Sequence, residues 1–143
     1  MLCPVCKVPA IIVEYHDIEL DYCTNCCGVW FDAGELELLL ESAGLGGTKA
    51  FLDSVLSAGA AGAAEKKRRC PICNLKMKKN FVDRPSQTLV DICPDRHGIW
   101  FDGGEFERLL GSLAEERPGT NAAFEKLLDF FKETFKTGAA RSK

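Results

Sequence analysis

The run CTNCCGVWFDAGE at residues 23–35 joins closely spaced cysteines to an aromatic strand and a helix start. Its last eight residues, 28–35, recur as GIWFDGGE at 98–105, which is 70 positions further on. Upstream, CPVC at 3–6 recurs as CPIC at 70–73, at an offset of 67. Two motifs repeated in the same order indicate that one small module occurs twice. The difference of three residues is a short insertion between the motifs of the second copy.

Each module has the pattern of a β-hairpin between its cysteine motifs. In the first copy, residues 11–15 and 18–22 alternate in polarity on either side of a turn that starts at His16, which is typical of half-buried strands. In the second copy, residues 88–92 repeat the return strand after a longer turn at 83–86. His16 lies in its turn without a cysteine partner, so we interpret it as a structural residue.

A short helix is predicted directly after each aromatic strand. Asp32 and Glu35 have the spacing of a capping box, as do Asp102 and Glu105, and this spacing is a signature of helix starts. The apolar residues that follow fall at i, i+3 and i+4 on one helical face. They are Leu36, Leu39 and Leu40 in the first copy and Phe106, Leu109 and Leu110 in the second.

The cysteines predict a metal site in each module. A module of about 45 residues cannot bury enough apolar surface to fold securely alone, so a metal staple is expected. Two Cys-x-x-Cys turns at the ends of a hairpin bring four thiolates together. In the first copy the predicted ligands are Cys3, Cys6, Cys23 and Cys26. Zinc is preferred, although the same thiolates suit iron, and Cys27 is left over as a spare thiol or an alternative ligand.

The second copy has three matching cysteines, namely Cys70, Cys73 and Cys93. Arg96 stands where the fourth cysteine would be, and a guanidinium that stays protonated cannot bind a cation. Either His97, four residues after Cys93, is the fourth ligand, or the site has none. We predict His97, because three matched cysteines would otherwise be left with an open coordination position.

The combined pattern resembles the zinc finger of the transcription factor TFIIB-like family, a bacterial zinc-ribbon group. It reads Cys-Pro-x-Cys, hairpin, Cys-x-x-Cys-x-Gly-x-Trp-Phe-Asp-x-Gly-Glu-Leu, and it fits from Cys3 to Leu40 and from Cys70 to Leu110. The resemblance implies a zinc-ribbon fold with zinc on the named cysteines, while Arg96 departs from the pattern. It does not imply a role in transcription.

The predicted fold is a small, metal-stabilised α+β fold of two tandem zinc ribbons with a C-terminal amphipathic helix. The expected segments are ribbon 1 at 1–42, a Gly/Ala-rich linker with a short helix at 43–68, ribbon 2 at 69–113, and the C-terminal helix and tail at 114–143. Within the last segment a helix is predicted from Thr120 to Thr137, and one of its faces carries Phe124, Leu127, Leu128, Phe131 and Phe135. We expect this face to pack on ribbon 2; the alternative is a partner-binding helix.

Composition narrows the class of protein. The 143 residues are 46% hydrophobic and 27% charged, which excludes wholesale disorder. No apolar run approaches the ~18–20 residues needed to span a bilayer, and the N-terminus has no secretory pattern. We therefore expect a cytoplasmic protein without a membrane partner, in which eight cysteines serve metal ligation more than disulfides.

The net charge of −3 conceals two oppositely charged segments. Residues 1–47 carry Lys7 and eight acids, whereas residues 65–84 carry eight bases and two acids. The basic segment indicates either a solvated linker and strand edge or a local anion-binding surface.

The function expected from these features is that of a non-enzymatic adaptor with two zinc ions per chain. Closed four-ligand sites keep no position for a reacting water, and we find no candidate catalytic residues. The partner is predicted to be a protein or a second copy of the chain. One alternative is nucleic-acid binding through residues 66–79. The aromatic pairs Trp30-Phe31 and Trp100-Phe101 suggest stacking on bases, but we expect them to be buried against the metal knuckle and the following helix. Another is thiol-redox or metal-handling chemistry that uses Cys27 and the weaker second metal site.

Overall fold

A computed structural model describes most of the two repeated modules. The described residues are 1–42, 68–83, 88–116, 125–127, 129–131 and 133. The predicted linker at 43–68 therefore lies outside them except for Arg68, as does most of the turn at 83–86. Parts of the predicted C-terminal helix also lie outside, namely 120–124, 128, 132 and 134–137.

The first module consists of β1 (Ile11–Tyr15), β2 (Ile18–Tyr22), β3 (Val29–Asp32) and α1 (Glu35–Ser42). The turn between β1 and β2 has positive φ at both of its residues, 50° at His16 and 65° at Asp17. A two-residue turn of this kind matches the twist of an antiparallel hairpin. The hairpin predicted from the alternating pattern is therefore present, with Ile11 opposite Tyr22 and Tyr15 opposite Ile18.

The second module repeats these elements in the same order. They are β4 (Lys78–Asp83), β5 (Thr88–Ile92), β6 (Gly98–Phe101) and α2 (Glu105–Glu116). The predicted α+β class and the two repeated ribbons are thus confirmed.

The start of α1 differs in one bond from the predicted capping box. The backbone N–H of Asp32 donates to Glu35 Oε1 at 3.0 Å, as that motif requires. The Asp32 carboxylate, however, accepts the indole N–H of Trp30 at 2.8 Å, and Asp102 accepts that of Trp100 at 3.1 Å. Residues i and i+2 of a strand lie on the same face, so the aspartate meets the indole before the helix begins.

The strands form one antiparallel sheet in the order β1-β2-β3-β6-β5-β4. The two modules meet where β3 pairs with β6, with Trp30 opposite Trp100. Val29 lies opposite Phe101, and Phe31 lies opposite Ile99. Because positions 29–31 and 99–101 are equivalent in the repeat, this register is symmetric about the tryptophan pair. The modules are therefore related by a pseudo-two-fold axis, like the subunits of an isologous dimer.

One face of the sheet packs against the helices in a core that both modules share. Phe31 and Phe101 meet there edge to face, with ring centroids 5.6 Å apart, and Phe106 of α2 lies 4.8 Å from Phe31. The predicted apolar face of each helix is buried in this core, through Leu36, Leu39, Leu40, Phe106, Leu109 and Leu110.

The described C-terminal residues, 125–127, 129–131 and 133, are helical. Leu127 and Phe131 are fully buried in the shared core, where the Phe131 and Phe106 rings lie 4.7 Å apart. Phe130 packs on Tyr15 of the first module at 4.6 Å. The segment therefore contacts both modules, whereas we had expected it to pack on the second alone. Among the described helices, none is long and apolar enough to cross a membrane.

Candidate metal centres

The first candidate centre lies on the face of the sheet opposite the helices. It brings together the Sγ atoms of Cys3, Cys6, Cys23 and Cys26, all within 4.8 Å of one another. The Cys3 and Cys26 sulfurs are 3.7 Å apart. Four sulfurs at about 2.3 Å from a tetrahedral zinc ion are about 3.8 Å apart, so this sulfur set has the dimensions of a zinc site.

The cysteine turns have a backbone that aims both sulfurs inward. In three of the turns, the residue after the second cysteine has a positive φ, 63° at Lys7, 67° at Cys27 and 65° at Asn74. Its N–H donates to the carbonyl of the first cysteine, at 2.9, 2.8 and 2.9 Å respectively. Each turn is therefore closed by its own backbone hydrogen bond.

Backbone amides point at the buried sulfurs. The N–H groups of Val5 and Cys6 both lie 3.3 Å from Cys3 Sγ, and the N–H of Ile72 lies 3.3 Å from Cys70 Sγ. Hydrogen bonds of this kind favour the thiolate over the thiol and orient the ligand around the metal.

The thiols differ in how easily they lose a proton. The contact with Cys26 and the two backbone amides lower the pKa of Cys3 to about 5, although burial opposes them. The same contact and burial raise the pKa of Cys26. In the second module, burial raises the pKa of Cys70 to about 11. Because only deprotonated cysteines bind zinc, the ion itself must displace protons from the higher-pKa thiols.

The second candidate centre consists of Cys70, Cys73, Cys93 and His97. The Cys73 and Cys93 sulfurs are 3.6 Å apart, and His97 Nδ1 lies 3.3 Å from Cys93 Sγ. The structure thus places His97 at the fourth position that the sequence left between a histidine and no ligand.

The fourth turn reaches its ligand by a different path from the other three. Here the positive φ, 61°, falls at Arg96, and the Arg96 N–H donates to the Cys93 carbonyl at 2.9 Å. This turn is one residue shorter than its counterpart after Cys23. In the first module the ligand Cys26 comes directly before the residue with positive φ. In this turn the ligand His97 comes directly after that residue, and its longer imidazole side chain extends back to the thiolates.

Cys27 is a core residue, not a ligand of the first centre. Its side chain is 6% exposed and belongs to the helix-side core, whereas the four ligands of the first centre lie on the other face. Burial and the contact with Cys27 raise the pKa of Tyr22. The side chain of Cys27 thus belongs to the core, although its counterpart in the repeat, His97, belongs to the second centre.

The two centres share one hydrophobic cluster on their face of the sheet. Trp30 and Trp100 are both 0% exposed and lie between the buried cysteines of the two modules together with Met77. Each indole crosses a glycine of the other module, Trp100 over Gly28 and Trp30 over Gly98, and a Cβ at either glycine would overlap the ring. The tryptophan of each module, which packs in the cluster of buried cysteines, therefore also packs against a glycine beside the other module's metal site.

Sequence reasoning missed a buried ion pair beside the second centre. Lys79 Nζ lies 2.7 Å from Asp91 Oδ1, and both side chains are at most 3% exposed. Arg68 adds longer contacts of 3.8 Å to Asp91 and 3.7 Å to Asp102. Burial raises the pKa of Asp91 against the opposing effect of Lys79. The sequence feature that could have predicted this ion pair was a lysine and an aspartate on two paired strands of alternating polarity.

Both donor sets are closed and fit two zinc ions. The first set has four thiolates, and the second has three thiolates and one imidazole. Both are donor sets of structural zinc sites, and each has the four members that tetrahedral zinc requires. Two hairpin-and-knuckle units of this kind define the molecule as a tandem zinc-ribbon protein. The chain belongs to the transcription factor zinc-finger family, whose pattern matches residues 2–42 and 69–112. Neither a curated protein nor a solved structure matches the chain.

Replacement of His97 by alanine is expected to lower the zinc content from two ions per chain to one. The three remaining thiolates of the second centre leave one coordination position without a protein ligand, whereas the first centre keeps all four. Elemental analysis after dialysis against a mild chelator measures the ratio. The matched control is His16→Asn, which removes the other imidazole of the chain and should retain two ions. His97→Cys should also retain two, and an unchanged ratio in His97→Ala would exclude His97 as a ligand.

Proposed function

We propose that this chain is a non-enzymatic, zinc-stabilised module that binds a protein partner. The observation that carries the proposal is the distribution of its large apolar side chains. Both tryptophans are fully buried. Among the residues whose side-chain exposure the structure describes, the exposed large apolar ones are all aliphatic, namely Leu2, Val8, Ile11, Ile12, Leu38, Ile72 and Leu75. Aliphatic surface is suited to burial against another protein, whereas stacking on nucleobases needs exposed aromatic faces.

The metal centres support a structural role in this proposal. Each donor set has four protein ligands around one shared point, so a bound zinc ion has no open position for substrate or water. Cys27, which a thiol-redox function would use, is buried in the helix-side core, and buried cysteines in apolar surroundings react slowly.

Nucleic-acid binding is the second candidate, and the exposed bases favour it. Lys7, Arg69, Lys76 and Lys78 are all exposed. Two other bases of the basic segment, Arg68 and Lys79, contact Asp91 instead, which reduces the charge available to phosphates. Thiolate-bound zinc leaves each centre with net negative charge, and this also disfavours a polyanion.

Titration of labelled single- and double-stranded DNA and RNA at low salt distinguishes the two candidates. We expect no saturable binding to the zinc-loaded chain. If the four exposed bases contact phosphates, the affinity for duplex DNA falls with salt at a logarithmic slope of about −4, and Lys76→Glu combined with Lys78→Glu abolishes it. That result would replace protein binding by nucleic-acid binding as the function.

A further inference from the structure

The pseudo-two-fold axis brings the first cysteine turns of the two modules side by side. Two isolated β-bridges, Leu2 with Pro9 and Arg69 with Lys76, bound these loops. A cleft of about 160 Å³ opens between them. Leu2, Pro4 and Lys7 line it from the first loop, and Arg69, Pro71 and Ile72 line it from the second. The cleft therefore exists only where both modules are paired in one sheet.

An exposed apolar side chain lines this cleft on each side. Leu2 and Ile72, which line it, are each 54% exposed. Val8 and Leu75, at equivalent positions of the two loops, are also exposed. Apolar side chains grouped around a concave site are typical of surfaces that other proteins cover.

The size of the cleft suits a single apolar side chain. An enclosed apolar cavity of about 150 Å³ accepts a benzene-sized group; this cleft has a similar volume, but it is open to solvent and its lining includes polar side chains. One anchoring side chain in a pocket is the common form of a binding hot spot.

The charge at the cleft determines which partner residues are favourable beside that anchoring side chain. The exposed charged side chains that line the cleft are Lys7 and Arg69, and both are cations, whereas the zinc-binding thiolates Cys3 and Cys70, which also line it, are buried. Arg69 Nη1 donates to the Asn74 carbonyl at 3.0 Å, which holds the guanidinium beside its own loop. Carboxylates next to the anchor would meet both cations, whereas a basic segment would be repelled.

We propose that this cleft binds a segment of a protein partner in which one large apolar side chain is flanked by acidic residues. The apolar side chain enters between Leu2 and Ile72, and the carboxylates pair with Lys7 and Arg69. This inference rests on the proposed protein-binding function and specifies its surface and the chemistry of its partner. The loops are preformed, because the metal centres and their N–H···S bonds fix both of them, so little ordering is needed on binding.

Selection of random peptides displayed on phage tests the proposal with the zinc-loaded full chain. The selected peptides are synthesised, and their affinities are measured for the wild type and for two cleft variants. Leu2→Ser combined with Ile72→Ser removes the apolar walls, and Lys7→Glu combined with Arg69→Glu reverses the charge. Leu38→Ser and Lys126→Glu are matched controls, because both residues are exposed on helical elements away from the cleft. Zinc content and circular dichroism verify that each variant is folded.

We expect enriched peptides to combine a large apolar residue with Asp or Glu, and to lose about tenfold or more in affinity for either cleft variant. The controls should bind as the wild type does. Peptides that bind the wild type and both cleft variants equally would overturn the cleft while leaving protein binding in place. Enrichment of basic peptides, or tighter binding to the charge-reversed variant, would overturn the acidic partner. Failure to enrich any peptide would overturn the cleft, and nucleic-acid binding by the same preparation would overturn the proposed function as well.

Discussion

Removal of zinc is expected to unfold both modules together, with loss of the β-sheet signal and exposure of both tryptophans. Structural zinc contributes about 10–16 kcal/mol of apparent binding free energy, which exceeds or matches the whole stability of a typical domain, about 5–15 kcal/mol. Modules of this size have few other means of stabilisation. The apo chain should therefore be largely unfolded at neutral pH.

The loss should be a single event because the two centres share their supporting residues. The buried cysteines of both modules pack with Trp30, Trp100 and Met77 in one cluster, and β3 pairs with β6 along that cluster. Circular dichroism and tryptophan fluorescence during titration with a chelator should change at the same chelator concentration, and added zinc should reverse both. A metal-free chain that keeps its ellipticity and its blue-shifted fluorescence would contradict this prediction.

Adjacent cysteines provide a matched control for the role of the metal. Cys26→Ala removes a ligand of the first centre, and Cys27→Ala removes a core sulfur one residue away. The first variant should lose one zinc ion and much of its stability. The second should keep two ions and lose only the packing of one small side chain.

The ligands were accessible from the sequence because covalent spacing constrains them. Two cysteines separated by two residues must lie in one turn, and a hairpin of fixed length returns the chain to the same end. Arg96 stands where Cys26 stands in the first copy, and because a guanidinium cannot bind a cation, the sequence leaves either His97 or no fourth ligand. The geometry brings His97 together with the other three ligands.

The junction between the modules could not be predicted from the sequence in the same way. Alternation of apolar and polar residues assigns a strand its two faces, but it does not say which strand lies at the next edge. The motif spacing predicts two ribbons and a linker but does not predict that β3 and β6 join the ribbons in one sheet. The signal that bears on this was the glycine two residues before each tryptophan, Gly28 and Gly98, since a residue without a Cβ allows close approach of another group.

The basic segment shows why charge counts alone misplace side chains. Both interpretations of the basic segment expose Lys79, either to solvent or to an anion, yet Lys79 is buried on β4 and pairs with Asp91. In the first module the residue opposite Asp21 is Ile12, which is exposed. The repeat therefore conserves the strand register but not the ion pair, and only the pairing of the strands reveals the difference.

Gly28→Ala is expected to destabilise the zinc-loaded chain by about 3 kcal/mol, the upper end of the usual cost of overpacking a core. The three atoms nearest to an added Cβ all belong to the Trp100 ring, and the overlap is well inside van der Waals contact. The indole has little room to move, because it is fully buried and its N–H is bound to Asp102. Thermal unfolding with both zinc ions bound measures the destabilisation, and the melting temperature should fall by about 10 °C for a chain of this size.

Gly111→Ala is the control for this substitution, since nothing lies within 4 Å of its Cβ position in α2. Alanine there should stabilise the helix by up to about 1 kcal/mol.

A double-mutant cycle shows whether the cost arises across the module junction. Trp100→Leu removes the ring atoms that a Cβ at position 28 would meet, so Gly28→Ala should cost much less in that background than in the wild type. A clash within the first module would leave the cost of Gly28→Ala unchanged by the replacement of Trp100. Equal costs in the two backgrounds would therefore separate the modules and contradict the pairing of β3 with β6. A coupling of about 2 kcal/mol or more would instead mean that a residue of one ribbon is constrained by the aromatic ring of the other, as one continuous sheet requires.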